Sequence, residues 1–274
     1  MLNYPTNLCI AIALHFREEI LPYVARSSEE FAKLARQVTV HIMTNTSHTE
    51  EKKAIASVLA GKGFSYFIHT PSYLGHPYLL TWSHLGLFRE QFSQDSSISH
   101  FLYLEDDELF TQENMIYWIQ GRHLLGTSGF IPAFLRYEIR PDEGDRRYVL
   151  DVMDRADTNN SPRINLGDQY SFLSLPHFYQ GMYLLDRAYM ELHLTTESSS
   201  PQDAKWWIRE RAAEGINTYK VPPGFFSRNL VGYFPKENQI DFRCLIHHMS
   251  NRYTYMPESR CGKIPVECIL KGGS

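Results

Sequence analysis

The chain has little cysteine: four in 274 residues. Cys9, Cys244, Cys261 and Cys268 show no CxxC spacing and no zinc-finger pattern, which excludes a thiolate zinc framework. They read as reduced thiols, with a Cys261–Cys268 bridge left open. Basic charge is also short. A net charge of -4 argues against a general nucleic-acid surface, which carries a basic excess. No apolar run approaches the roughly 18 residues that span a bilayer. The N-terminal "LCIAIAL" is too short and lacks the basic flank of a leader, so a cytoplasmic location is expected. There is no internal repeat and no low-complexity segment. The closing "GGS" resembles an appended linker, and the natural chain is expected to allow further domains.

What is present is an ordinary globular composition, 43% hydrophobic and 21% charged, with abundant Tyr and Phe that suit either a large core or ring-stacking sites. Strand and helix signals alternate through the first half. "LCIAIALHF", "VTVHIMTN", "FSYFIHT" and "HFLYL" are short, apolar and strand-like. Between them, 18–36 carries Leu21, Val24, Ser28, Phe31 and Leu34 at helical spacing. "EEKKAIASVLAGKG" is a short helix stopped by Gly61 and Gly63, and "YLLTWSHLGLFREQF" is a helix with a wide apolar face. A helix over about 111–125 follows. This order predicts an α/β fold with a mainly parallel, doubly wound central sheet flanked by helices.

The second half is less regular. "GFIPAFLRYEIR" reads as one strand, 154–169 as a mobile polar loop, and "SSSPQDAKWWIRERAAEG" as a helix capped by Ser200 and stopped by Gly215. One domain spanning 1–271 is expected, with a nucleotide-binding half to about residue 125 and a mixed half from 126 that receives an acceptor.

Four consecutive acids, Glu105, Asp106, Asp107 and Glu108, end the fourth strand. In open α/β sheets ligands gather beyond the carboxyl ends of the strands, so these acids, "HFRE" and "TNTS" are expected at one edge. Clustered carboxylates suit a hard divalent ion that completes its shell with water and phosphate; a solvated acidic turn is the structural alternative.

An apolar strand ending in "LEDDE" resembles the DxD-type motif of GT-A fold, nucleotide-sugar-dependent glycosyltransferases. The resemblance covers most of the chain in organisation, though its motifs are short and the first acid is Glu. It implies Mn²⁺ or Mg²⁺ held by Asp107, with Glu105 facing the ribose or a metal-bound water and Asp106 supporting the loop; Asp106 with Glu108 offers the same spacing. It also implies a nucleoside diphosphate sugar, UDP-linked by expectation, contacted by His15, Phe16, Arg17, Thr44 and Asn45, with His76 and Arg252 near phosphate. A late imidazole, His248 or else His247, completes the metal shell. Asp203 becomes the base of an inverting reaction, although Ser200 and Asp203 also stand at capping-box spacing. Arg136, Tyr137, Glu138, Gln180 and Gly181 are candidates for a saccharide or glycolipid-linked acceptor, with bacterial polysaccharide synthesis as the setting. Tyr183, Leu80 and Trp82 read as core. The alternatives are a sugar-nucleotidyltransferase, disfavoured because "ALHFREE" lacks a glycine-rich phosphate loop, and a non-catalytic carbohydrate-binding domain.

Overall fold

The computed structural model describes residues 4–72, 74–176, 179–201 and 207–271. The chain divides into two compact units. One comprises 3–112 and 181–216, the other 113–180 and 217–274 together with the first two residues.

The first unit is built on a five-stranded sheet. Its strands are β1 (Asn7–Leu14), β2 (Gln37–Thr44), β3 (Ser65–His69), β4 (His100–Glu105) and the strand Met182–Asp186. In space, β3, β2, β1 and β4 lie side by side and parallel, and Met182–Asp186 closes the β4 edge antiparallel. β1 is buried from Leu8 to Leu14 because it has a neighbour on each side, which is why its sequence is continuously apolar. Helices α1 (Leu21–Phe31), α2 (Thr49–Leu59) and α3 (Ser83–Gln94) make the crossovers. The fold is therefore α/β with a mainly parallel central sheet.

The helix expected over 18–36 is shorter than its spacing suggests. It opens with a 3₁₀ turn, Glu18–Ile20, and ends at Phe31. Arg36 and Gln37 donate instead to the carbonyls of Pro5 and Thr6, so the chain is captured by the sheet before the pattern runs out. Leu34 stays fully buried all the same.

The expected helix from Ser200 to Gly215 is corrected. Trp207 is extended with ψ 152°, which breaks the expected helix there, while residues 202–206 lie outside the described residues. The described helix here is Ile208–Arg211. The Trp82 indole donates to the Ile208 carbonyl at 2.6 Å, holding this short turn against the first unit's core. As expected, Leu80, Trp82 and Tyr183 are buried.

The second unit is mixed. Leu135–Arg140 pairs parallel with Leu245–His248 and antiparallel with Arg146–Val149, across a turn that Gly144 permits at φ +67°. The single strand expected from "GFIPAFLRYEIR" breaks at Ala133 and Phe134. Their N–H groups donate to the carbonyl of Leu230 and the side chain of Gln180 rather than to one continuous ladder. The stretch 154–169, expected to be a mobile loop, contains a strand, Arg163–Asn165, paired with Ser171–Leu173. It also contains a turn in which Asp157 accepts from Asn159 and Asn160. All four cysteines are free thiols, which settles the open bridge.

Candidate functional site

In the first unit the chain builds outward from β1 to β2 and β3, then returns to place β4 on the other side of β1. A crevice forms at the carboxyl edge of two such strands because their following loops diverge. Ala13 pairs with Glu105, so β1 and β4 end level with each other. Their continuations, His15–Phe16–Arg17 and Glu105–Asp106–Asp107, therefore emerge as neighbours.

Electrostatics agree with that placement. Desolvation, then the negative charges of Asp107 and Glu105, push the Asp106 carboxyl up to about 8, and the Arg17 guanidinium works in the opposite direction.

The loop after β2 joins the same group. Thr44 is fully buried at the end of its strand, and Asn45 follows it exposed. The Asn45 side-chain oxygen accepts from the Phe16 N–H at 2.7 Å, tying the β1 and β2 loops together. His15 and Arg17 are exposed and Phe16 is half-buried. His76, also exposed, caps the turn Pro77–Trp82 by accepting from the Tyr78 N–H through Nδ1.

Glu108 and Gly181 have a task the sequence did not reveal. The Glu108 side chain is buried, and a Cβ on Gly181 would fall 1.8 Å from its Oε1. Gly181 has φ +68°, and its carbonyl accepts from the Glu105 N–H at 3.2 Å. Ser27 donates to the Glu108 carbonyl at 2.7 Å. The close approach read into Gly181 is therefore made by a carboxylate of the same unit, and it fixes both ends of the acidic turn.

The second unit holds the remaining candidates. Arg136 is buried and grips Asp151 with two hydrogen bonds of 2.8 Å, with its guanidinium 4.5 Å from the Tyr179 ring centroid. Glu138 is completely buried. Its Oε1 pairs with His248 Nδ1 at 2.8 Å and accepts from Tyr253 N–H, while Oε2 accepts from Thr254 N–H at 2.7 Å. Gln180 is buried with its oxygen on the Phe134 N–H. These three, read from the sequence as acceptor candidates, are buried and each has a protein partner.

His248 is buried, with Ser250 Oγ near both ring nitrogens. His247 is half-buried, meets Asn251 through Nε2 at 3.0 Å, and stacks on Tyr137 at 5.0 Å. Arg147 covers Tyr137, and exposed Arg252 lies over Tyr253. Asp203 lies outside the described residues.

Among the described residues, no group of three or more His, Cys, Asp or Glu is arranged to hold a metal ion. A Mg²⁺-type site does not need one, since such ions use one or two carboxylates and take their other ligands from water and substrate phosphate. The oxygen donors of the acidic turn fit a hard divalent cation on that pattern, desolvation first and then the charges of Asp107 and Glu105 raising the Asp106 carboxyl. No helix among the described residues is long and apolar enough to cross a membrane.

No family model and no curated protein matches the sequence. Among solved structures, an active-site mutant of LgtC matches at 14% identity and a TM-score of 0.37, over 77% of this chain and 70% of that one. A likeness so distant carries no weight for what this chain does.

Proposed function

We propose that the chain transfers a sugar from a nucleoside diphosphate sugar, UDP-linked by expectation, to a hydroxyl of a saccharide or glycolipid-linked acceptor, in the manner of GT-A glycosyltransferases. The observation that carries the proposal is the level ending of β1 and β4, which brings Arg17 and the Asp106–Asp107 turn to one edge of a parallel sheet.

In this reading Asp107, with Asp106 or Glu105, holds Mn²⁺ or Mg²⁺. When bound, the ion offsets charge developing on the departing diphosphate. The remaining work falls to protein groups. The Asn45–Phe16 hydrogen bond gives the base and ribose a fixed pair of loops, bordered by His15 and Thr44. Arg17 adds positive charge beside the acids, and His76 is assigned to phosphate. Glu108 against Gly181 keeps the acidic turn from shifting as charge moves. The acceptor oxygen bonds to the anomeric carbon while the bond from that carbon to the phosphate oxygen breaks, its electron pair leaving with the diphosphate. The acceptor proton passes to Asp203 in an inverting reaction, an assignment that rests on the sequence resemblance.

The test is a panel of nucleotide sugars with Mn²⁺ or Mg²⁺, monitoring slow release of the nucleoside diphosphate, beside titration calorimetry with UDP. Metal-dependent release that falls by about 100-fold or more in Asp107→Ala supports the proposal. Neither turnover nor metal-dependent UDP binding by the wild type overturns it.

A further inference from the structure

The first unit presents aromatic rings to solvent on a fixed backbone. Trp207 is 83% exposed, yet its carbonyl accepts from the Arg211 N–H at 3.0 Å, and the following carbonyl, of Ile208, is the one held by the Trp82 indole. Tyr78, 48% exposed, stands on the 3₁₀ turn Pro77–Trp82, which packs against the short helix Ile208–Arg211. Its N–H is capped by His76 and its carbonyl accepts from the Thr81 hydroxyl at 2.9 Å. The Arg209 guanidinium, two residues on from Trp207, lies 4.9 Å from the Tyr78 ring centroid, and the His76 ring meets Tyr78 edge-on at 4.6 Å. Leu79, Leu194 and Ile208 pack on the buried Trp82, Leu85 and Ala212. The aliphatic side chains of this region are thus spent on the core, while the rings and the guanidinium face outward.

We propose that Trp207, Tyr78 and Arg209 form a subsite for a pyranose ring of the acceptor saccharide, an inference that rests on the glycosyl-transfer reading above. A pyranoside has a flat C–H face and a rim of hydroxyls, so it calls for an exposed ring face with hydrogen-bond donors beside it. Trp207 and Tyr78 supply such faces, each an apolar body with a polar tip. Arg209 supplies donors in a rigid fork. Among the described residues its guanidinium meets the Glu210 carboxylate at 3.5 Å, the outer limit of a hydrogen bond, which leaves N–H groups for hydroxyl oxygens. A protein partner would call for a broad apolar patch, and the aliphatic side chains that could make one are turned inward here. His76, assigned to phosphate, touches Tyr78, so the subsite continues from the donor side. It is separate from Arg136, Glu138 and Gln180, which are buried in the second unit.

The experiment records saturation-transfer NMR of the full chain with the methyl glycosides of glucose, galactose, N-acetylglucosamine and N-acetylgalactosamine, with a Kd from titration. Transfer to the ring C–H protons of at least one glycoside is expected. Trp207→Ala, checked for an unchanged melting curve, raises that Kd by about fivefold or more, the worth of one stacked ring, and Trp207→Phe recovers most of the loss. Binding of none of the four by the wild type overturns the subsite, as does equal binding by the wild type and Trp207→Ala. Calorimetry of the wild type with UDP and Mn²⁺ separates the two readings. Glycoside binding through Trp207 without metal-dependent UDP binding upholds the saccharide site and defeats the transferase reading; UDP binding without glycoside binding does the reverse.

Discussion

The carboxylate of Glu108 occupies the space in which any side chain on Gly181 would begin. The Gly181 Cβ position lies 1.8 Å from Glu108 Oε1 and 2.5 Å from its carboxyl carbon. Two segments far apart in sequence thus meet with no room for a methyl group, immediately beside the acids assigned to the metal.

Gly181→Ala is expected to be strongly destabilising. The clash with a buried carboxylate adds to a left-handed backbone that itself costs about 1–3 kcal/mol for a residue with a side chain. Urea denaturation measures the loss. Metal-dependent UDP binding should weaken beyond what Asn45→Ala produces, because Gly181 also accepts from Glu105 N–H. An unchanged denaturation midpoint contradicts the packing described.

Asn45→Ala removes the acceptor for the Phe16 N–H. The expected change is about 1 kcal/mol in stability, the typical worth of one hydrogen bond. The Kd for UDP should rise, since two loops assigned to the nucleotide become independent. Calorimetry reads the second effect, and an unaltered UDP affinity removes these loops from the site.

Arg136→Met tests a residue whose sequence position suggested acceptor contact. Breaking one side of the buried Arg136–Asp151 pair should destabilise by about 3–5 kcal/mol, because Asp151 is left with little solvent and no counter-charge. Arg136→Met with Asp151→Leu should recover part of that loss. If Arg136→Met leaves the melting curve in place, the guanidinium has a role other than this ion pair.

Acid should unfold the first unit through two histidines. His84 Nδ1 donates to the Thr81 carbonyl and its Nε2 accepts from the Tyr183 hydroxyl, while His193 Nδ1 meets Ser198 Oγ. Burial pushes both down to about 3. The unfolded chain, with histidines near 6.5, binds more protons than the native state between about pH 6.5 and 3, so stability falls as pH drops through that window. Urea midpoints measured from pH 7 to 4 should decline, and less steeply in His193→Gln. A flat profile rules out neutral buried imidazoles as the cause.

The parallel core was legible in the sequence because strands with a neighbour on each side are apolar throughout, as β1 is from Leu8 to Leu14. The acids at the end of β4 were legible for a related reason: charge following a buried run marks where the chain leaves the core. The break of the strand before Leu135 and the short helix at Ile208–Arg211 were not, since each depends on a distant partner for its backbone groups. Leu230 and Gln180 serve the first, and Trp82 serves the second.

Local pattern therefore determined which segments are strands, which ends are polar, and that carboxylates crowd one turn. Only tertiary packing decided that Glu108 lies on Gly181, that Arg136 and Glu138 turn inward, and that Arg209 covers Tyr78. Periodicity reports how far a residue is from water, whereas the partner of a buried polar group is fixed by segments that folding brings together from far along the chain.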